Sequence, residues 1–419
     1  MPSVLAATDP GPDSAFASDG GELDLVRMRR ERLAKLQAAM RTAGFDALVL
    51  AANSSVRYAT GTAMMNVEIS RNAYEPTIAV VLPDAAPHVF TPYPEGAPLD
   101  IPRGNVHAPL LVEFEEGVEV LAGALTDLLG AGEWRVGFDD LSGAELERLP
   151  VLLPHLTIGD AGEALVPAKL FKTSDEVECL RRAQRINELA MYDVMPALRP
   201  GVTQSELSGI FLRRIFELGA SGNVIDPIWS VTAASIAQGP FTVNGDVAFP
   251  LCSSNAILRQ DDLIMCDTGI LYEGYASDFG RTWIVGNEPT RRQKDQFRRW
   301  KDVIARVLAV TRPGATGLDL MRAAREPEHE RPPVFDHFYL VHGIGTDSAE
   351  MPFIGTDFGD EFDESIVLQP GMIMVLEPVI WDDGEGGYRA EETVVVTDDG
   401  FRSLCRFPYT PFEEGTVSW

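Results

Sequence analysis

Five residues spread over 125 positions constrain the fold of this chain most: Asp267, Asp278, His342, Glu377 and Glu391. Each stands where a strand or tight turn is expected to point it inward. Their contexts are Cys266-Asp267-Thr268-Gly269, Ser277-Asp278-Phe279-Gly280-Arg281, Val341-His342-Gly343-Ile344-Gly345, Leu376-Glu377-Pro378 and Arg389-Ala390-Glu391-Glu392. Glu377 is the clearest case. It closes the apolar run Ile373 to Leu376, and a carboxylate ending a buried strand is costly without a partner. Singly, each residue has an ordinary reading: Asp267 as a turn acid, Asp278 as a partner of Arg281, and His342 as a core histidine satisfied by backbone groups. Glu391 and Glu392 read as one inward and one exposed side chain, since strand side chains alternate faces. Together, the five supply four negative charges and a neutral nitrogen, a sensible cage for two divalent metal ions. Oxygen-rich ligation with one imidazole suits Mn, Fe or Co, with Zn as a further option. Two such ions ~3.5–4 Å apart can share and deprotonate a water at neutral pH, which is a hydrolase's equipment.

Composition bounds the rest. The chain has 419 residues, enough for two domains, and at 45% hydrophobic it can bury a substantial core. A formal net charge of −28 disfavours nucleic acid and anionic membranes as partners. The basic run Arg27 to Lys35 reads as a solvated helix face. No apolar run reaches the ~18 residues a membrane helix requires. The first 24 residues lack a basic start followed by an apolar stretch, so they read as a disordered or docked arm, not a secretory leader. Cys179, Cys252, Cys266 and Cys405 show no CxxC spacing and lie in or beside apolar runs, which points to reduced thiols in a cytoplasmic protein. Cys266, although next to Asp267, is expected to face away from the site. Neither a GxGxxG nor a Walker pattern occurs, so no nucleotide cofactor is expected.

The chain divides into the arm (1–24), an α/β domain (25–165) and an α+β domain (166–419). In the first domain, a helix to about Thr42 carries Leu33, Leu36 and Met40 at helical spacing. Strands are expected at Ala47 to Leu50, Thr77 to Leu82, His88 to Thr91, Trp134 to Phe138 and Leu156 to Ile158, with helices at Val118 to Leu129 and Ala144 to Leu153. The boundary falls beside Val166-Pro167. Thr173-Ser174-Asp175-Glu176 then opens a helix to about Leu198, and Thr203-Gln204-Ser205-Glu206 caps another. Separate strands are expected at Leu263 to Cys266 and at Ile270-Leu271, a polar loop at Glu326 to Pro333, and closing strands around Val341, Ile373 to Glu377 and Thr393 to Thr397. Trp229 and Phe241 are candidate walls of a substrate pocket.

The ordered acid and histidine set resembles the metal signature of the pita-bread metallopeptidase superfamily, in the branch of aminopeptidase P, prolidase and creatinase. Asp278 follows Asp267 by eleven residues, His342 opens a His-Gly-Ile-Gly turn, Glu377 sits in Leu-Glu-Pro, and Glu391 follows Gly387-Tyr388-Arg389. More loosely, Val56-Arg57-Tyr58-Ala59-Thr60-Gly61 resembles a stretch of the creatinase-like N-terminal domain. The resemblance implies an α/β creatinase-like N-terminal domain and a pita-bread catalytic domain with helices on one side of curved, largely antiparallel strands. Asp267 would chelate one metal, Asp278 and Glu391 would bridge both, and His342 and Glu377 would hold the other. Arg281 and Arg389 would orient these carboxylates. The implied activity is hydrolysis of a C–N bond, Xaa-Pro peptidase-like, on a short peptide or small molecule. Glu377 would relay the proton to the leaving amine, His342 and Glu350 are the other catalytic candidates, and a homodimer is implied.

The sequence also departs from the branch. No histidine lies between His155 and Asp267, His342 is the last one in the chain, and Glu350 stands near where a His-Glu-Pro would fall. Some lyases of the superfamily, which cleave dimethylsulfoniopropionate, also dispense with such histidines. The run Met64 to Pro76 and the ending Phe407-Pro408-Tyr409-Thr410-Pro411 look like theirs. They carry, however, a second acid where this chain has Gly269, and a tyrosine where it has His337. A lyase of a small zwitterion is therefore a second reading. A non-catalytic binding module is a third, although such modules usually lose ligands that this chain keeps.

Overall fold

The computed structural model describes residues 22–64, 76–112, 114–232, 235, 254–325 and 338–413. Phe241, His337, the loop 326–333, residues 1–21 of the arm and nearly all of the Met64 to Pro76 run lie outside the described residues. Two compact units divide between Asp175 and Glu176.

The N-terminal unit opens with a helix, Leu25–Ala43 (α1). Asp24 caps it by accepting from the amides of Val26 and Arg27, each at 3.0 Å, and Gly44 ends it at a φ of 73°. Its buried stripe is Met28, Arg32, Leu36 and Met40, four residues apart. The basic run on this helix is paired: Arg27 reaches Asp175 at 2.7 Å and Arg29 reaches Asp100 at 2.8 Å. The strands Ala47–Leu50 (β1), Ile78–Val81 (β2), His88–Phe90 (β3), Val106–His107 (β4), Trp134–Phe138 (β5) and Leu156–Asp160 (β6) form one sheet in the order β4-β3-β2-β1-β5-β6. β1 runs antiparallel to β2 and parallel to β5. Helices Asn53–Thr60, Glu115–Leu129, Gly143–Leu152 and Gly162–Leu170 complete the unit. Val166 and Pro167, where sequence suggested a boundary, lie inside the last of these.

The second unit opens on the helix Ser174–Val194 (α2), which stops four residues short of the expected Leu198. Pro196 falls in a single tighter turn, Met195–Ala197, where proline's missing N–H and its ring clash disfavour continuing the α-helix. The helix Gln204–Glu217 (α3) has the expected capping box, with Glu206 N donating to Thr203 Oγ1 at 3.2 Å. The strands Gly222–Val231 (β7), Leu263–Tyr272 (β8) and Phe279–Ile284 (β10) pair antiparallel in the order β10-β8-β7, with Tyr275–Ala276 (β9) beside β8. A second antiparallel sheet runs β12-β11-β13-β16-β17, from Val341–Gly343 (β11), Glu350–Ile354 (β12), Ile373–Leu376 (β13), Glu392–Val396 (β16) and Phe401–Ser403 (β17). The hairpin Val379–Asp382 (β14) and Gly386–Arg389 (β15) lies between β13 and β16 in sequence. Ile186, Ala190 and Met191 of α2 share one core with Ile264, Cys266, Phe279 and Phe407, so helices cover the first sheet. No helix among the described residues is long and apolar enough to cross a membrane.

Candidate metal centre

β8 is a single ten-residue strand, not the two short ones read from sequence, and Asp267 stands in its middle opposite Gly280 of β10. The Thr-Gly that suggested a turn is simply extended. Cys266 faces the core with 1% of its surface exposed, and burial pushes its thiol well above the ordinary range. Asp278 lies just before β10. Glu391 lies just before β16, and its amide donates to the Gly280 carbonyl at 3.1 Å. A Cβ on Gly280 would collide with the Glu391 carboxylate, so this glycine leaves the room the acid occupies.

Ligand oxygens of Asp267, Asp278 and Glu391 lie within 4.8 Å of one another. The second sheet supplies the other two residues. His342 pairs with Val375 of β13, and the register slips between His342 and Gly343 against β12, a bulge of the kind that re-aims a side chain. Its Nδ1–H donates to the Gly343 carbonyl at 2.8 Å, which turns Nε2 toward Asp278 Oδ2 at 3.2 Å and Glu377 Oε1 at 3.4 Å. Glu377 follows β13 and is 1% exposed. All five residues are thus buried around one point.

Arg389 is the buried cation among them. Its Nη1 donates to Asp267 Oδ2 at 3.0 Å and its Nη2 to Glu377 Oε2 at 2.5 Å, and Nη2 lies 2.8 Å from Glu391 Oε1. One guanidinium does not balance four acids. Burial, then the charges of Asp267 and Glu377, pushes the Asp278 carboxyl well above the carboxylate range; burial, then Asp278 and Asp267, does the same to Glu391. Asp267 Oδ1, Asp278 Oδ1 and Glu391 Oε2 are buried without a hydrogen-bond partner among the described residues, and Glu391 Oε1 has only the ion-pair contact with Arg389. Buried, unpartnered oxygens crowded at this range are costly unless a cation joins them. Hard carboxylate oxygens with one neutral imidazole fit divalent metal ions.

The neighbouring residues differ from expectation in three places. Arg281 does not reach the carboxylates of Asp267, Asp278, Glu377 or Glu391. It donates to the backbone carbonyls of Gly280 at 2.9 Å, Glu391 at 2.7 Å and Phe407 at 3.2 Å, and thereby fixes the backbone that carries Glu391. Glu392 is not exposed but 2% accessible, because β16 is buried on both faces; its carboxylate accepts from the Tyr409 hydroxyl and lies 3.4 Å from Arg281 Nη2. Trp229 does not wall a pocket. It is 1% exposed, donates to Ser208 Oγ at 2.9 Å and meets Phe211 edge-on in the helix-covered core. Glu350 is half-buried opposite Gly343, with its carboxylate over Gly345.

Tyr339 was not singled out from the sequence. Its ring meets His342 at 5.2 Å in an edge-on arrangement. Burial, then the charges of Glu377 and Asp278, pushes its hydroxyl upward, so it stays protonated. The only signal in the sequence is an aromatic pair, Phe338-Tyr339, leading into β11.

Comparison with known proteins agrees with this geometry. Residues 178–398 match the model of metallopeptidase family M24, and residues 32–168 match that of the creatinase/prolidase N-terminal domain. The chain is 24% identical over 383 residues to the uncharacterized peptidase YqhT of Bacillus subtilis, covering 90% of this chain and 98% of that protein. It is 27% identical over 382 residues to an Xaa-Pro dipeptidase of Lactobacillus helveticus, covering 89% and 96%. The solved structure of an Xaa-Pro dipeptidase from Bacillus anthracis superposes with a TM-score of 0.71 at 23% identity, covering 91% of this chain and 98% of that one. With more than half its length matched by the family model, the chain belongs to metallopeptidase family M24, as a hydrolase with a creatinase/prolidase N-terminal domain.

Proposed function

We propose that this protein is a dinuclear metal-dependent peptidase that hydrolyses short peptides of the Xaa-Pro type. The observation that carries this reading is the crowd of buried, unpartnered carboxylate oxygens from Asp267, Asp278 and Glu391, with His342 Nε2 and Glu377 beside them. Asp267 would hold one ion, Asp278 and Glu391 both, and His342 and Glu377 the other. When bound, the ions supply Lewis-acid polarisation of the scissile carbonyl and acidify water. Arg389 grips Glu377 by Oε2, so Oε1 faces inward and can take a proton and deliver it to the leaving amine. Glu350 is a second candidate acid or base. Tyr339 can donate a hydrogen bond to substrate from beside His342. The substrate class comes from the relatives named Xaa-Pro dipeptidases. We further read the enzyme as cytoplasmic, in keeping with Cys179, Cys266 and Cys405 forming no disulfide, and as a homodimer, which light scattering would test.

The test is an activity screen of protein reconstituted with Mn, Fe, Co or Zn, over Xaa-Pro dipeptides, creatine-like amidines and dimethylsulfoniopropionate, with product identification. Release of free proline, with solvent oxygen appearing in the carboxylate of the released Xaa residue, supports the proposal. An alkene released without solvent oxygen would instead make this a lyase.

A further inference from the structure

One polar residue on α2 sits where the helix's apolar stripe predicts a hydrophobic one. Ala183, Ile186, Ala190, Met191 and Val194 all belong to the core, and Asn187 lies among them with no exposed surface. Asparagine is a poor helix former and a poor core residue, so its burial needs a compensating set of bonds. It has one. Nδ2 donates to the Thr268 carbonyl at 2.8 Å and to Ser277 Oγ at 2.9 Å, while Oδ1 accepts from Thr268 Oγ1 at 2.9 Å. Ser277 Oγ also accepts from the amide of Ile270 at 3.1 Å. Thr268 follows Asp267 and Ser277 precedes Asp278, so one carboxamide grips the immediate neighbours of two metal-facing aspartates.

The strands need such a grip here. Regular pairing of β10 with β8 begins at Phe279 and Thr268, one residue past Asp278, and β9 takes over only at Ala276 opposite Leu271. Asp278 therefore sits at a break in the regular ladder, where Ser277 N donates to the Ile270 carbonyl at 2.9 Å, and the Asn187 amide reinforces this bond from the Thr268 and Ser277 side. The group must give two N–H bonds and take one from a single plane. Aspartate lacks the donors and leucine lacks all three, which would strand the Thr268 and Ser277 groups in the core.

Resting on the dinuclear reading above, we propose that Asn187 is a positioning residue that sets the spacing between Asp267 and Asp278, and through it the affinity of the metal pair. The test uses the full-length protein stripped of metal and titrated with Co²⁺ alone, followed by calorimetry and visible absorption, with melting in EDTA as the measure of fold. Expected for Asn187→Leu and Thr268→Val is a loss of Co²⁺ affinity of about 10- to 100-fold at one site or more, the usual effect of removing an outer partner of a ligand. The Co²⁺ absorption bands should change shape as well. Thr268→Ser keeps the hydroxyl and should restore wild-type affinity and spectrum. If Asn187→Leu does not fold, the Thr268 pair decides alone. A variant that melts lower in EDTA but binds Co²⁺ with wild-type affinity and spectrum reduces Asn187 to a core prop and overturns the proposal. Wild-type protein that takes up no Co²⁺ would refute the metal reading itself, a failure distinguishable from the first.

Discussion

Asp278→Asn should make the metal-free protein more stable and the enzyme inactive. The side chain keeps its shape but loses the charge that crowds Asp267, Glu377 and Glu391, and Asp278 Oδ1 has no donor to lose among the described residues. The gain has a ceiling. A buried carboxyl that cannot stay ionised takes a proton, and at pH 7.5, against an unfolded pKa of ~3.9, that costs no more than about 5 kcal/mol. The floor is the desolvation of one unsatisfied oxygen, about 1 kcal/mol. A middle value of about 2–3 kcal/mol corresponds to roughly 5–10 °C for a cooperative unit of this size. The assay is calorimetric melting in EDTA and again with saturating Mn²⁺. Wild type should gain strongly from Mn²⁺ and the variant far less, so the two curves cross. A variant that melts below wild type in EDTA, or that gains as much from Mn²⁺, would refute the electrostatic reasoning.

Three further outcomes follow from the structure. Arg389→Met strands Asp267 and Glu377 without their buried partner, and breaking such a pair costs about 3–5 kcal/mol, read as a lower melting temperature in EDTA that Mn²⁺ partly restores. Trp229→Ala should cost about 3–5 kcal/mol of stability and leave the ratio of kcat/KM between dipeptides unchanged, because the ring fills core and lines no pocket. The His88 Nδ1 to His107 Nε2 contact at 2.9 Å joins β3 and β4, and burial lowers both pKa values below 6.5. The unfolded chain then binds protons that the folded one resists, so stability is full above pH ~6.5 and falls as the solution is acidified through and below that value. His107→Asn should flatten this slope in melts from pH 7 to pH 5.

Much of the candidate metal centre was legible because its physics is local. Glu377 ends an apolar strand, and a carboxylate there demands a partner whatever the fold. The order and spacing of the other four then allowed the resemblance to be seen. What stayed hidden depends on contacts distant in sequence. Glu392 looked solvent-exposed by strand alternation, yet its partners Arg281 and Tyr409 cover the second face of β16. Arg281 was expected to orient the carboxylates of the candidate site, but it bonds backbone carbonyls at the base of that site and pairs with Glu392 instead. Trp229 looked like a pocket wall because an aromatic beside a strand reads the same in a core and in a cleft. Asn187 gave no signal at all, since a single amide in a helix is ordinary until the strands it bonds are known.

The central claim is that the five converging side chains hold catalytic metal ions. The most direct measurement is metal content and peptidase activity on one preparation, stripped by chelation and then titrated with Mn²⁺. Activity should vanish on stripping and return in step with metal uptake, reaching its maximum near two ions per chain. Full Xaa-Pro hydrolysis by verified metal-free protein would contradict it.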